Sequence, residues 1–380
     1  MREVKAQNPL RLLRQVGQSV WLDYIHRKLI RSGELRRLIE EDGLSGMTSN
    51  PTIFEKAISE GPEYEETFAR LRARGVGVTE AYQTLVAEDI IAACDALRPV
   101  FDETGGADGF VSVEVSPLLA RDTEGTIKEV RYWFGRIGRP NLMVKIPGTP
   151  EGFPAIEAMI AEGRNINITL LFSVQAYARV AEAYVSGLEQ HLAAGQPIDR
   201  VASVASLFVS RIDTETDKRL DAKAAAASTP AERERLQGLR GKAAIANAKL
   251  AYKTFREVFG GSRYQALATR GARVQRPLWG STSTKNPAYP DLLYVEALVG
   301  PDTVDTMTPQ TLAAFRDHGR VTPRAVMEGL SEAEAVPARL AEVGIGIDDV
   351  TGRVLEAGIQ SFVDSYRQLL QAIERRLRTP

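Results

Sequence analysis

Short strand-like segments alternate with longer helical segments eight times along this sequence, and this alternation restricts the possible folds more than any other feature. The segments between the strands, for example 79–97 and 174–192, place apolar residues near the helical period of 3.6. The strand-like segments are residues 20–23, 46–50, 110–115, 142–146, 166–171, 203–209, 277–282 and 303–306. Strands separated by helices pair in parallel, and eight of them close most naturally into a barrel. The sequence therefore predicts an α/β fold, the (β/α)8 or TIM barrel.

Three regions extend this minimal barrel. A short helix is predicted within residues 1–18, before the first strand. The segment 214–259 is predicted as a helical insertion after strand six, with a break at 228–230 and a new helix from Ala231. The C-terminal segment 347–378 carries one apolar stripe, long enough for a helix to pack across the barrel and partly over its mouth. Since no repeat or linker marks a boundary, we expect residues 1–380 to form a single domain.

Composition excludes several classes of function. Apolar residues make up 44% of the chain, charged residues 26%, and the formal net charge is −1, so nothing indicates a nucleic-acid or membrane partner. The three histidines are scattered and the single cysteine, Cys94, cannot form a disulfide within the chain. The sequence has no glycine-rich nucleotide-binding motif. We therefore expect a cytoplasmic protein that needs no metal and no other cofactor.

A polar residue falls near the carboxyl end of almost every predicted strand. Any one of these side chains could be a hydrogen-bonded polar group of the core. In a parallel barrel, however, these strand ends meet on one face, where catalytic sites are built. The set predicts a polar pocket formed by Asp23, Asn50, Glu114, Lys145, Asn167, Thr169, Ser206 and Ser281.

Lys145 lies within the apolar segment 141–147. A buried ammonium tends to lose its proton, and a neutral amine attacks carbonyl groups. Schiff-base chemistry is therefore one interpretation of this residue. Two others remain open from the sequence: Lys145 ends its strand at the surface, or it pairs with a carboxylate.

The remaining polar residues could supply what a Schiff-base aldolase needs. Such an enzyme requires an acid/base group, donors for sugar hydroxyls and, for a phosphorylated substrate, cations at the pocket edge. Glu114, Thr169 and Asp23 could move protons, and Asn50 and Asn167 could bind hydroxyls. Phosphate could be bound by side chains of the segments 206–211 and 283–286, in which Arg211 offers two donors and Lys285 a point charge.

Seven motifs, all in one order between about residues 20 and 310, resemble those of the transaldolases. They are Asp23 after Trp-Leu, Thr-Ser-Asn-Pro-Thr-Ile-Phe at 48–54, Val-Glu-Val-Ser at 113–116, Val-Lys-Ile-Pro at 144–147, Asn-Ile-Thr-Leu-Leu-Phe-Ser at 167–173, Ser-Leu-Phe-Val-Ser-Arg-Ile-Asp at 206–213, and Ser-Thr-Ser-Thr-Lys-Asn-Pro at 281–287. The long 214–259 segment and the extended C-terminus resemble the longer bacterial branch of this family of Schiff-base aldolases. The resemblance implies transfer of a dihydroxyacetone unit between phosphorylated ketose and aldose sugars in the pentose phosphate pathway.

The resemblance also implies a role for each matched residue. Lys145 would attack the ketose carbonyl, Glu114 and Thr169 would position a water that moves protons, and Asp23 would take the proton from the C4 hydroxyl. Substrate hydroxyls would be held by Asn50, Asn167 and Ser206, and Phe208 would line the same substrate site. Phosphate would be bound by Arg211, Ser283 and Lys285. Lys285 stands where the better-known branch often has arginine, so its role is less secured by the resemblance than that of Arg211.

Two other functions compete with the transferase. Fructose-6-phosphate aldolases are similar around the lysine but usually carry tyrosine where Phe208 stands and glutamine where Glu114 stands, and their chains are much shorter. A sugar-phosphate-binding barrel without catalysis would be expected to have lost Lys145, Glu114 or Asp23. The sequence does not distinguish a monomer from a homodimer.

Overall fold

Eight parallel strands form a closed barrel in the computed structural model, which describes residues 8–378. Each strand pairs with the next along the chain, and the eighth pairs with the first. The strands are β1 (Gln18–Asp23), β2 (Gly46–Thr48), β3 (Phe110–Glu114), β4 (Leu142–Pro147), β5 (Ile166–Leu171), β6 (Ser203–Phe208), β7 (Arg276–Gly280) and β8 (Thr303–Met307). The predicted (β/α)8 fold is confirmed.

Helices surround the barrel and follow most strands. They are α1 (Pro9–Gln15), α2 (Arg27–Arg31), α3 (Glu34–Asp42), α4 (Pro51–Glu60), α5 (Glu65–Ala73), α6 (Val78–Glu103), α7 (Thr123–Ile137), α8 (Gly152–Ala161), α9 (Val174–Ala193), α10 (Ser210–Ala226), α11 (Pro230–Gln237), α12 (Ala243–Gly260), α13 (Ser262–Ala268), α14 (Leu293–Ala297), α15 (Pro309–His318), α16 (Leu330–Glu342) and α17 (Ile347–Arg378). Short 3-10 turns occur at Pro62–Tyr64, Pro117–Leu119 and Ala325–Met327. None of the helices within residues 8–378 is both long and apolar enough to cross a membrane.

Several boundaries differ from the sequence prediction. Asn50 lies beyond β2, because its side chain accepts a hydrogen bond from the Ile53 backbone N–H and caps α4. Ser281 lies beyond β7, because its backbone turns into the left-handed region with φ 55°. The segment 214–259 breaks a second time between α11 and α12, where Gly241 has φ 69°. The helices α4 and α5 also add to the barrel at a place where no extension was predicted.

The barrel interior has an apolar layer below a polar one. Trp21, Met143 and Val304 are buried in one compact cluster inside the strands. Two residues further along the same strands stand Asp23, Lys145 and Thr306, all of which line a cavity. Because side chains alternate between the two faces of a strand, a step of two residues keeps the same inward face. The lower layer therefore closes the barrel, and the cavity can open only at the carboxyl end of the strands.

Candidate active site

A cavity of about 230 Å³ lies at the carboxyl end of the barrel. Nine of the predicted residues line it: Asp23, Asn50, Lys145, Ser206, Phe208, Arg211, Ser281, Ser283 and Lys285. The other three, Glu114, Asn167 and Thr169, are buried behind this lining. The structure thus brings together predicted residues from the five strands β1, β3, β4, β5 and β6 and from the segments that follow β2, β6 and β7.

Lys145 is buried at the centre of this group, with only 4% of its surface exposed. Strand β4 holds it in register between Glu114 on β3 and Asn167 on β5. Its Nζ lies 3.2 Å from Glu114 Oε2 and donates a hydrogen bond to the Ser49 carbonyl oxygen at 3.1 Å. The burial excludes a position at the surface, whereas a carboxylate partner is present, so the amine and an acid/base group are in direct contact.

Glu114 is itself a perturbed acid. Burial raises the pKa of its carboxyl group above the ordinary value, and the charge and hydrogen bond of Lys145 lower it in part. A raised pKa makes the carboxylate a better proton acceptor, and its protonated form is accessible nearer neutrality. Glu114 is therefore able both to remove a proton from the Lys145 ammonium and to return one.

Thr169 lies at an irregular point of strand β5. The register between β5 and β6 shifts between Ile168 and Leu171, and Leu170 adopts a left-handed conformation with φ 56°. The Thr169 hydroxyl is buried and hydrogen-bonds no other residue in the described part of the chain. Backbone irregularities of this kind re-aim side chains near active sites. A buried hydroxyl without a protein partner suits a small polar ligand such as water.

Asp23 lies across the cavity at the end of β1. Its Oδ1 accepts a hydrogen bond of 2.7 Å from Thr48 Oγ1, which in turn lies 2.8 Å from Thr306 Oγ1. Burial raises the pKa of Asp23, while Lys145, Thr48, Arg211 and Lys285 lower it in that order. The chain of hydroxyls fixes the orientation of this carboxyl group, and the raised pKa suits a general base.

Asn50, Asn167 and Ser206 lie at different depths relative to the cavity. Asn50 lines the cavity while its Oδ1 caps α4, which leaves its amide N–H groups for a ligand. Asn167 is fully buried: its Nδ2 donates to Ser112 Oγ at 3.0 Å, and its Oδ1 accepts from Ser206 Oγ at 2.7 Å. Asn167 therefore orients Ser206, and Ser206 is the member of this pair that reaches the cavity.

Arg211 carries a charge that no carboxylate of the described residues neutralises within ion-pair distance. Its guanidinium lies over the Phe208 ring, 5.5 Å from the ring centre, and Phe208 packs edge-on against Phe172. Desolvation lowers the pKa of Arg211, in part offset by Asp23. Gly358 of α17 lies so close that an added Cβ would approach the guanidinium to 3.4 Å. A cation held by ring and backbone surfaces, with its donors unused, is the arrangement expected of an anion site.

A second cation lies on the loop after β7. Lys285 Nζ donates a hydrogen bond of 2.8 Å to Ser283 Oγ, and both side chains line the cavity. Lys285 is exposed and Ser283 is half-buried, so this pair forms the rim of the cavity rather than its floor. Arg211 and Lys285 together make this rim positive.

Eight of the residues that line the cavity were not predicted, among them Thr48, Thr306 and Phe362. Thr48 and Thr306 line the cavity from β2 and β8, and the signal for Thr306 was the step of two residues from the inward-facing Val304. Phe362 comes from α17, more than 150 residues after the central lysine, and carries no local signal. Across residues 8–378, no group of three or more His, Cys, Asp or Glu side chains is placed to hold a metal.

Comparison with known proteins identifies the family. The sequence model described as transaldolase/fructose-6-phosphate aldolase matches residues 20–373. The transaldolase of Parafrankia sp. (strain EAN1pec) is 48% identical over 97% of this chain and 98% of its own length. The transaldolases of Mycobacterium tuberculosis (strain ATCC 25618 / H37Rv) and Trichodesmium erythraeum (strain IMS101) are 47% and 43% identical, each over 98% of this chain and over 99% and 98% of their own lengths respectively. The chain therefore belongs to the transaldolase/fructose-6-phosphate aldolase family.

Proposed function

We propose that this protein is a transaldolase of the pentose phosphate pathway. It transfers a dihydroxyacetone unit from sedoheptulose 7-phosphate to glyceraldehyde 3-phosphate, giving erythrose 4-phosphate and fructose 6-phosphate. The observation that carries the proposal is the contact of 3.2 Å between the buried amine of Lys145 and Glu114 Oε2. An amine without a neighbouring acid/base group could bind a sugar but would form an imine slowly.

Imine formation is the first step. The neutral Lys145 amine attacks the C2 carbonyl of the ketose, and the resulting carbinolamine loses its hydroxyl as water. Glu114 exchanges protons with the amine and the departing hydroxyl through a water held by Glu114 and the Thr169 hydroxyl. The protonated imine then draws electrons from the C3–C4 bond.

Asp23 breaks that bond. Its carboxylate takes the proton of the C4 hydroxyl as the C3–C4 bond opens, so that C4 leaves as the aldehyde of erythrose 4-phosphate and the electron pair remains in a Lys145 enamine. The enamine carbon then attacks the aldehyde of glyceraldehyde 3-phosphate, and Asp23 returns the proton to the new hydroxyl. Water hydrolyses the imine and releases fructose 6-phosphate. Asn50 and Ser206 hold the hydroxyls of the covalent intermediate, with Asn167 behind Ser206.

Reduction with borohydride in the presence of fructose 6-phosphate tests the covalent step. We expect the peptide that contains Lys145 to gain the mass of a reduced dihydroxyacetone unit. A Lys145→Met variant serves as the matched control, because its side chain is of similar length and lacks the amine. An active preparation that gives no adduct, or an adduct on Lys285, would contradict the proposal.

The family name also covers fructose-6-phosphate aldolases, which release free dihydroxyacetone. Phe208 favours transfer here, because its ring lies in the cavity wall without a hydroxyl that could orient a hydrolytic water. Glu114 favours it too, since a carboxylate beside the cationic imine stabilises that intermediate. We expect fructose 6-phosphate alone to be cleaved slowly and to react rapidly once erythrose 4-phosphate is added. Release of dihydroxyacetone at the same rate as transfer would favour the aldolase.

Three further properties belong to this proposal. The binding partners are phosphorylated sugars, with no nucleic acid and no membrane, and the protein acts in the cytoplasm as a monomer or homodimer without a cofactor. A buried, unpaired Cys94 is compatible with a reducing compartment. Residues 1–380 form one domain, which includes the 214–259 insertion and the 347–378 helix. A single cooperative unfolding transition would support the single-domain organisation.

A further inference from the structure

Two aspartates on α10 connect three parts of the chain. Asp213 and Asp217 lie one helical turn apart, and both are buried. On one side, each accepts a backbone N–H at the start of the last insertion helix. Asp213 Oδ1 accepts from Ala244 N at 2.8 Å, and Asp217 Oδ1 accepts from Gly241 N at 3.0 Å. The last helix of the insertion, α12, is thus attached to α10 by two carboxylate oxygens.

The other oxygen of each aspartate accepts a phenol from the segment after β7. Asp213 Oδ2 receives the Tyr294 hydroxyl at 3.0 Å, and Asp217 Oδ2 receives the Tyr289 hydroxyl at 2.5 Å. Both contacts raise the pKa of the tyrosine, in addition to burial, so both phenols remain protonated donors at neutral pH. Tyr289 and Tyr294 lie four and nine residues after Lys285, on the same segment between β7 and β8.

The beginning of this segment is attached to α10 as well. Ser210 N donates to the Ser281 carbonyl oxygen at 3.1 Å, and the two serine hydroxyls lie 3.1 Å apart. Ser281 is one of few non-glycine residues of the described chain with a positive φ. Such a conformation persists where surrounding contacts impose it. Ser283 and Lys285 therefore lie between attachments at Ser281 and at Tyr289.

Gly241 shows that the contact with Tyr289 is close-packed. Its φ of 69° lies in the left-handed region, and an added Cβ would approach the Tyr289 ring carbon Cζ to 3.0 Å. The second break of the insertion, between α11 and α12, therefore occurs where the chain must bring a backbone N–H to Asp217 and leave room for the phenol.

We propose that Asp217 and Tyr289 are positioning residues for phosphate, and that the insertion braces the loop that carries Ser283 and Lys285. The inference rests on the proposed function and assigns a task to the 214–259 segment. Helix α10 begins with Ser210 and Arg211, so one rigid element fixes both cations of the rim: Arg211 directly and Lys285 through the Asp217–Tyr289 contact. An exposed lysine whose loop has no regular structure would otherwise lose more conformational freedom on binding.

Tyr289→Phe is the test, because it removes one hydroxyl and keeps the ring that packs on Gly241. We expect the dissociation constant for inorganic phosphate, measured by phosphorus-31 NMR titration, to rise about three- to tenfold, the range expected when one hydrogen bond no longer orients a binding group. Half-maximal borohydride trapping should require more fructose 6-phosphate by a similar factor. The concentration of dihydroxyacetone that gives half-maximal trapping should be unchanged, because this sugar has no phosphate.

Tyr252→Phe is the matched control. The Tyr252 hydroxyl also donates one hydrogen bond, to the Pro301 carbonyl oxygen at 3.1 Å, and it lies outside the cavity lining. In an Asp217→Asn background, Tyr289→Phe should weaken phosphate binding by a smaller factor, since both changes act on one contact. Unchanged phosphate affinity in Tyr289→Phe would overturn the inference. So would an increase in the dihydroxyacetone concentration for half-maximal trapping as large as the increase for fructose 6-phosphate. Failure to trap Lys145 would instead contradict the proposed function, because phosphate titration does not depend on imine chemistry.

Discussion

Replacing Arg211 with alanine should separate recognition of phosphate from the chemistry at Lys145. The Arg211 guanidinium makes no ion pair or hydrogen bond to another side chain of the described residues, and it lies over Phe208 in the cavity wall. Arg211→Ala therefore leaves no carboxylate without its partner. Its structural cost comes mainly from the ring contact, about 2 kcal/mol for a cation–π interaction of a desolvated cation.

The expected loss of affinity follows from the hydrogen bonds that Arg211 offers a phosphate. A hydrogen bond to a charged group contributes about 1.5–3 kcal/mol. Because about 1.4 kcal/mol corresponds to a tenfold change in an equilibrium constant, the loss should be about ten- to a hundredfold. A bidentate grip would place it at the upper end of that range. Lys285 retains one cation at the rim, so binding should be weakened and not abolished.

The donor concentration that gives half-maximal borohydride trapping measures this effect without an acceptor sugar. We expect it to rise by that factor for fructose 6-phosphate and to change little for dihydroxyacetone. Arg219→Ala is the control, since Arg219 lies on the same helix but pairs with Glu215 at 2.8 Å and with Asp349 on the surface. If Arg211→Ala raised the concentration for half-maximal trapping equally for both donors, the reasoning would be refuted and Arg211 would be a structural residue.

Two further predictions concern the cavity wall and the barrel strands. Phe208→Tyr should raise the ratio of free dihydroxyacetone to transferred product, because the added hydroxyl can orient water at the imine; a product ratio equal to that of the unchanged protein would contradict this. Burial raises the pKa of Asp305 to about 7, and its Oδ1 accepts a hydrogen bond from Thr282 at 2.9 Å. The folded state therefore binds more protons than the unfolded state between about pH 4 and pH 7, and the contribution of Asp305 to stability is lost as pH rises through that window. Urea unfolding at pH 5 and at pH 8 measures the free energy of unfolding at each pH, and the decrease between them should be smaller in Asp305→Asn than in the unchanged protein. An equal decrease in both proteins would show that Asp305 does not titrate in this range.

The barrel and the central chemistry could be predicted because both depend on local patterns. Eight strand-like segments, each followed by helix, leave few alternatives to a closed parallel barrel. Lys145 was recognisable because a lysine within an apolar strand is costly unless it is paired or functional. Asp23 and Glu114 stand at strand ends, and the topology alone brings such ends together.

What the sequence did not predict depends on contacts between distant segments. Phe362 reaches the cavity only because α17 packs close to Arg211, where Gly358 leaves room for the guanidinium. The burial of Asn167 behind Ser206 depends on how β5 is aligned with β6, and the register shift near Leu170 is not visible in residue types. The contact between Asp217 and Tyr289 joins residues 72 positions apart, and nothing in either local sequence indicates it.

The electrostatics of the cavity connect its rim with its floor. Arg211 and Lys285 lie at the rim, yet both lower the pKa of Asp23, which the proposed mechanism uses as the base. Removing Arg211 therefore takes away one cation that favours the Asp23 carboxylate, and the pKa of Asp23 should rise. At a pH well above that pKa the base stays ionised, and the loss in Arg211→Ala is then confined to binding. Because dihydroxyacetone reaches the Lys145 imine without breaking a C3–C4 bond, its trapping does not need Asp23 as a base. The comparison of the two donors is for this reason best made at more than one pH, where a loss that is independent of pH identifies phosphate recognition.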